Sequence, residues 1–215
     1  MAKAEATAAA INKRLPRPSP FLPPSGRAFP APAPLDLASL PSVRAFADAF
    51  LEERGGGEGR GEGDLHVLVN NAGALFRKRE VVDIWAGSGG EGEREGRQML
   101  VEKTMATNHL GPFLLTSLLM PTLKATGRKE GSPARVIMVS SRLERGKTAY
   151  LNAWMRDPTL TPSEEKDERK EEGGKERGGE EVEVGCPAYK LFLAYGASKL
   201  ANLLMVCRVG GWVGE

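Results

Sequence analysis

Two short aliphatic runs constrain this chain more than any other feature. Leu65, Val67, Leu68 and Val69 make up the first, and Val136, Ile137, Met138 and Val139 the second. Runs of this kind, bounded by turn-forming residues, read as buried strands. Asn70-Asn71-Ala72-Gly73 closes the first in turn-type residues. Between the runs the pattern predicts a long helix over about residues 98–126, bent or divided at Pro112 and Pro121. Strands separated by helices imply βαβ units, a parallel sheet and an α/β fold. Ligands of such sheets bind beyond the carboxyl ends of the strands, so the informative residues should follow Val69 and Val139.

The flanking segments are of other kinds. Residues 1–34 pass from Ala-rich sequence to Pro16, Pro18, Pro20, Pro23, Pro24, Pro30, Pro32 and Pro34, which predicts an extended, disordered tail. Arg14, Arg17 and Arg27 against the single acid Glu5 suit an organelle transit peptide, and a non-native or alternatively spliced start fits equally. Val43, Phe46, Ala47, Phe50 and Leu51 recur at helical spacing as one apolar stripe. Ser39 or Ser42 can cap that helix, with Pro41 in its first turn and Gly55 at its end. Residues 77–97 read as an irregular charged loop. Residues 156–185, rich in Glu, Lys, Arg and Gly, read as a disordered insertion, because they bury too little surface to offset ordering entropy. The mixed-charge core of that insertion, 163–181, is expected to be a solvated loop. An apolar helix is predicted from about Tyr189 or Leu193 to Arg208, and 209–215 form a tail. The domain organisation expected is a tail over 1–34, one domain over 35–208 interrupted at 156–185, and a tail.

Composition narrows the function classes. A hydrophobic fraction of 40% and a charged fraction of 27% suit a soluble domain. The net charge is only +2 and the signs are interleaved, so no nucleic-acid stripe is present. Neither apolar helix reaches the ~20 residues of a membrane span. Cys186 and Cys207 lack metal-type spacing and read as free thiols in a reducing compartment; no metal site is expected. With no clear signal, cytoplasm is the default, and organelle targeting by residues 1–34 stays open.

Tyr195-Gly196-Ala197-Ser198-Lys199 places a phenol and an ammonium on one helix face. A nearby cation lowers the pKa of a tyrosine from ~10. The pair therefore suits proton transfer in a carbonyl–alcohol interconversion, although such a pair also occurs by chance on many helices. Four further pieces surround it in order: Leu35-Asp36-Leu37, Asn70-Asn71-Ala72-Gly73, Asn108-His109-Leu110-Gly111 and Val139-Ser140-Ser141.

With these five pieces the chain resembles the short-chain dehydrogenase/reductase family over residues 35–76, 98–148 and 189–208. The segments around Asn108 and Tyr195 look most like its retinol-dehydrogenase-like branch. The resemblance implies a partial Rossmann fold and hydride transfer between NAD or NADP and a small hydrophobic alcohol or carbonyl. The cofactor preference is not legible, and the branch resemblance tilts it towards NADP. It implies Tyr195 as general acid/base and Lys199 as the holder of the nicotinamide ribose. Ser141, rather than Ser140, would bond the reacting oxygen, and Asn108 would anchor a water. Asp36 and Leu37 would meet the adenine, and Asn71, Ala72 and Gly73 would let the cofactor approach the backbone. The two apolar helices build a homodimer interface in many relatives.

Plainer readings stand beside these. Asp36 can simply begin a helix, Asn70 can tie strand to helix, and His109 can be a packing residue. His66, Trp85, Trp154 and Trp212 suggest no chemistry, the tryptophans lying in segments read as irregular. The family's opening strand and TGxxxGxG loop are missing; the glycine runs at 55–59 and 87–90 follow no strand in the right place. The sixth and seventh strands are missing too. The expectation is thus a Rossmann fold truncated at both ends, with the strand ending at Val69 exposed at an edge. An active oxidoreductase and a catalytically inactive truncated product or interaction module are both compatible with the sequence.

Overall fold

The computed structural model describes residues 2–14, 28, 30–55, 64–86, 98–160 and 189–210. In chain order the elements are α1 (Ala2–Arg14), α2 (Leu40–Gly55), β1 (Val67–Asn70), β2 (Val81–Asp83), β3 (Leu100–Glu102), α3 (Lys103–Met105), a π-helical turn (Ala106–Leu110) and α4 (Gly111–Glu130). These are followed by β4 (Arg135–Met138), a 3-10 turn (Arg142–Glu144), α5 (Thr148–Arg156) and α6 (Leu191–Gly210).

β1 and β4 pair in parallel, Val67 opposite Arg135 and Asn70 opposite Met138. The ladder continues one step past β4, where the Val139 amide donates to the Asn70 carbonyl at 3.0 Å. The expected α/β architecture with a small parallel sheet is therefore present, as part of a Rossmann-type fold. Parallel strands are normally covered on both faces. Among the described residues these two pair only with each other, and Val67, Val69 and Ile137 stand exposed.

α2 forms as its apolar stripe predicts. Ser39 is the capping residue, its hydroxyl accepting from the Ser42 amide at 3.4 Å. Ser42 turns its own hydroxyl to the Asp36 amide at 2.9 Å. Val43 and Ala47 are fully buried against Leu115 and Leu119 of α4, with Phe46, Phe50 and Leu68 around them. Leu51, at the edge of the stripe, is exposed.

Four local expectations are corrected. Residues 1–34 were expected to be extended throughout, but Ala2–Arg14 is helical. Proline begins only at position 16, and the Ala-rich stretch before it has high intrinsic helix propensity. Asn12 holds this helix to residue 28 by a two-way amide pair, 2.8 Å to the Ala28 carbonyl and 2.6 Å from its amide. Second, within 81–83 and 100–102 the expected loop and helix start give way to an antiparallel pair, β2 with β3, while residues 87–97 of that loop lie outside the described residues. Val101 and Ile84 bury themselves against Ala106, and the helix starts at Lys103. Its cap is the Glu102 carboxylate, which accepts from the amides of Thr104 at 2.8 Å and Met105 at 3.0 Å. Third, residues 148–156 form α5, whose Tyr150, Leu151 and Ala153 pack with Ala194, Ala197 and Ala201 of α6. Trp154 therefore sits on a helix and packs against the core, and Trp85 packs beside Ile84. Trp212 lies outside the described residues. Fourth, residues 156–160 at the start of the expected disordered insertion are ordered. Leu160 is buried in the α5–α6 cluster, and the Pro158 carbonyl accepts from the Glu102 amide at 2.7 Å. The rest of that insertion lies outside the described residues.

The segment from Lys103 to Glu130 turns without interruption through the π turn into α4. Pro112 falls in the first turn of α4 and Pro121 inside it, so the prolines reshape one helix without dividing it. Among the described residues no helix is long and apolar enough to cross a membrane.

Candidate active site

The site forms where the ends of β1 and β4 meet the π turn and the middle of α6. Beyond β1 the chain turns sharply, the Asn71 amide donating to the Val69 carbonyl at 3.1 Å, and Asn71, Ala72 and Gly73 lie exposed. Asn70 points inward instead; its Nδ2 donates to the Thr116 hydroxyl at 2.9 Å. The plainer reading of Asn70, a tie between strand and helix, is what the structure shows.

Asn108, 1% exposed, reaches from the π turn to the segment after β1. Its Oδ1 accepts from the Ala74 amide at 2.7 Å, and its Nδ2 donates to the Ala74 carbonyl at 2.9 Å and to the Ser198 hydroxyl at 3.1 Å. Both Nδ2 hydrogens are thereby used, and Oδ1 keeps a second lone pair. Ser198 passes its own proton to the Tyr195 carbonyl at 2.7 Å.

Lys199 is 2% exposed, and its Nζ donates to the Val139 carbonyl at 2.9 Å. Burial pushes this ammonium below the usual lysine range. Nζ stands 5.6 Å from the ring centroid of Tyr195, as two side chains one helical turn apart must. Ser140 donates to the Lys199 carbonyl at 3.0 Å, fastening the end of β4 to α6. Ser141 accepts from the Leu143 amide at 3.3 Å and opens the 3-10 turn.

Glycines set the distances. A Cβ on Gly73 would stand 3.2 Å from Lys199 Nζ and 3.4 Å from Asn108 Oδ1, so only the missing side chain lets an ammonium and an amide oxygen come this close to the backbone. A Cβ on Gly196 would come within 2.3 Å of the Leu143 carbonyl oxygen. α6 therefore lies directly against the turn that Ser141 opens, and Tyr195 adjoins that contact. A Cβ on Gly111 would overlap the Leu37 carbonyl at 2.2 Å, so the segment before α2 abuts the start of α4.

The structure thus brings Gly73, Asn108, Tyr195 and Lys199 to one place, with Ser140 and Ser141 at the adjoining strand end. Asp36 and Leu37 lie instead beside α2 and the start of α4. The Asp36 carboxylate accepts from the Ala38 amide at 2.9 Å, closing a turn just before the Ser39 cap of α2, so it does not itself begin the helix. Ser198, Gly196 and Asn202 also build the site, and the sequence reading assigned them no part. Ser198 lies inside the Tyr–Lys signature; only its contact with Asn108, distant in sequence, reveals its task.

No family model matches the chain. Curated proteins do. Over 170 residues the chain is 34% identical to retinol dehydrogenase 12 of Mus musculus, covering 79% of this chain and 36% of that protein. The chain is a relative of the short-chain dehydrogenases/reductases. Dehydrogenase/reductase SDR family member 13 of Bos taurus is 40% identical over 113 residues, 52% of this chain and 22% of that protein. Short-chain dehydrogenase TIC 32 A, chloroplastic, of Brassica napus is 29% identical over 170 residues, 79% of this chain and 38% of that protein. The chain spans 22% to 38% of the length of these three curated relatives. These relatives are named as dehydrogenases or reductases.

Proposed function

We propose that this chain carries the proton-transfer half of an NAD(P)-dependent oxidoreductase site that interconverts a hydrophobic alcohol and its carbonyl. The observation that carries the proposal is the meeting of Lys199 Nζ and Asn108 Oδ1 beside the exposed backbone of Gly73, with the Tyr195 ring 5.6 Å from Nζ. A nicotinamide cofactor supplies the hydride acceptor or donor when bound. The residues fit its ribose end: the backbone of Asn71, Ala72 and Gly73 is exposed, and an ammonium faces it. At the pyrophosphate end, no glycine-rich turn joins a strand to a helix N-terminus among the described residues.

Each side chain has a part in this reading. Lys199 holds the ribose hydroxyls, and its charge favours the phenolate of Tyr195. Tyr195 gives a proton to the carbonyl oxygen in reduction and takes it back in oxidation. Ser141, once released from its own turn, donates to that oxygen as negative charge develops. Asn108 holds a water through the unused lone pair of Oδ1. Asp36, with Leu37, is the candidate for the adenine. The substrate class, a lipid-like alcohol or carbonyl, is favoured by relatives named retinol dehydrogenase and polyprenol dehydrogenase. NADP is tested ahead of NAD on the branch resemblance.

A second reading, an inactive interaction module, is favoured by the bare Val67, Val69 and Ile137 and by Phe192, Leu203, Leu204 and Val206 of α6. Such a chain would pair through its apolar helices with a second subunit. The name of the chloroplastic relative favours the organelle reading of residues 1–34 over the cytoplasmic default.

The test is fluorescence titration of the purified chain with NADPH and NADH, beside Gly73→Val, Tyr195→Phe and Asp36→Ala, with light scattering on the same samples. Saturable binding that Gly73→Val abolishes supports the oxidoreductase. A folded chain that binds neither nucleotide, and is dimeric, supports the interaction module.

A further inference from the structure

The proposed site rests on Asn108, and Asn108 sits in a stretch of helix that lacks one of its own hydrogen bonds. In a regular α-helix the Asn108 carbonyl would accept from the amide of residue 112. That residue is Pro112, which has no N–H. The helix widens here into the π turn Ala106–Leu110, where the ladder runs to residue i+5, as from the Gly111 amide to the Ala106 carbonyl, so Pro112 leaves a gap in it. The Asn108 carbonyl, inside this turn, is held from another helix. Asn202 of α6, 2% exposed, donates its Nδ2 to the Asn108 carbonyl at 2.9 Å.

The other end of the Asn202 amide is also engaged. With Nδ2 committed to a carbonyl, Oδ1 faces His109 Nδ1 at 2.9 Å. An amide oxygen only accepts, so His109 carries its proton on Nδ1. Asn202 therefore clamps two consecutive residues of the π turn, one through its backbone and one through its side chain. It lies one helical turn beyond Ser198 and on the same face of α6. Ser198 holds the Asn108 side chain while Asn202 holds its backbone.

From this geometry we propose that Asn202 is a positioning residue, holding the Asn108 carbonyl and the His109 ring together and thereby fixing Asn108 beside Gly73. It touches neither substrate nor cofactor and acts only through Asn108. The inference deepens the proposed oxidoreductase reading, but the structural part of its test does not depend on that reading.

The test compares the full chain with Asn202→Leu by residue-resolved amide hydrogen exchange. The reporter is the Ala74 amide, which Asn108 Oδ1 accepts. Asn202→Leu should speed exchange at Ala74 about tenfold, the loss of one buried hydrogen bond, with the β1 amides Leu68 and Val69 unmoved. If Asn202→Leu does not fold, Asn202→Asp takes its place, keeping the volume and the acceptor towards His109 while losing the donor. Equal acceleration at Ala74, Leu68 and Val69, or none at Ala74, overturns the proposal. Where the parent chain turns over a carbonyl with NADPH, Asn202→Asp should lower kcat and leave the KM for NADPH in place. A parent without turnover would sink the oxidoreductase reading while the exchange data still decide the role of Asn202.

Discussion

Replacing Gly196 by alanine sets two physical effects of opposite sign against each other. Gly196 lies inside α6, where alanine is intrinsically better by about 1 kcal/mol. The same Cβ would stand 2.3 Å from the Leu143 carbonyl oxygen and 2.9 Å from Lys147 Cγ. The lysine carbon belongs to a flexible side chain and can move. The carbonyl is backbone, held in the 3-10 turn that Ser141 opens, and the contact must lengthen by about 1 Å to reach ordinary van der Waals distance. Overpacking of this kind costs about 1–3 kcal/mol, so the steric effect outweighs the propensity gain or at least cancels it. The expected result is a net loss of up to about 2 kcal/mol, read as a lower urea midpoint with unchanged m. A larger functional loss should accompany it, because the turn must withdraw from Tyr195. A displacement of about 1 Å in a reacting constellation costs on the order of 100-fold in rate. A Gly196→Ala chain more stable than the parent by the full propensity gain would refute the claim that α6 and the turn meet backbone to side-chain position at Gly196.

Two further outcomes follow from the same contacts. Asn70→Ala removes the buried bond to Thr116 and should cost about 1–2 kcal/mol in chemical denaturation, while Asn71→Ala, at an exposed position, should leave the midpoint near that of the parent. Burial pushes the His109 pKa below the ordinary histidine value, with the Asn202 bond partly offsetting it. As pH falls through about 6.5 the unfolded chain takes up a proton that the folded chain resists, so stability falls on acidification. Above that pH both states are neutral at His109 and it contributes no slope. Urea midpoints of the parent and His109→Gln between neutral and mildly acidic pH check this; the parent should lose more stability across the window, and parallel curves would contradict it.

Much of the candidate site was legible along the chain because its elements are local. Tyr195 and Lys199 share a helix face by spacing alone, and the turn residues after Val69 and Val139 mark the strand ends where an α/β site must lie. The α2 stripe likewise predicts its burial against a neighbour, and Val43 and Ala47 are fully buried. Short elements resisted such reading. β2 and β3 have three residues each and exist because Val101 and Ile84 find a common cluster with Ala106. α3 begins at a glutamate cap, outside the residue types that usually announce a helix.

By itself, then, the sequence determined the parallel strand pair, the amphipathic helices and the identity of the groups able to move a proton. Local periodicity and turn chemistry suffice for those. Tertiary structure alone decided which glycines are contacts between elements, that Ser198 serves Asn108, and that Asn202 reaches the Asn108 carbonyl. Each of these depends on the approach of a segment distant in the chain, and no local pattern of side chains records where that segment will come to rest.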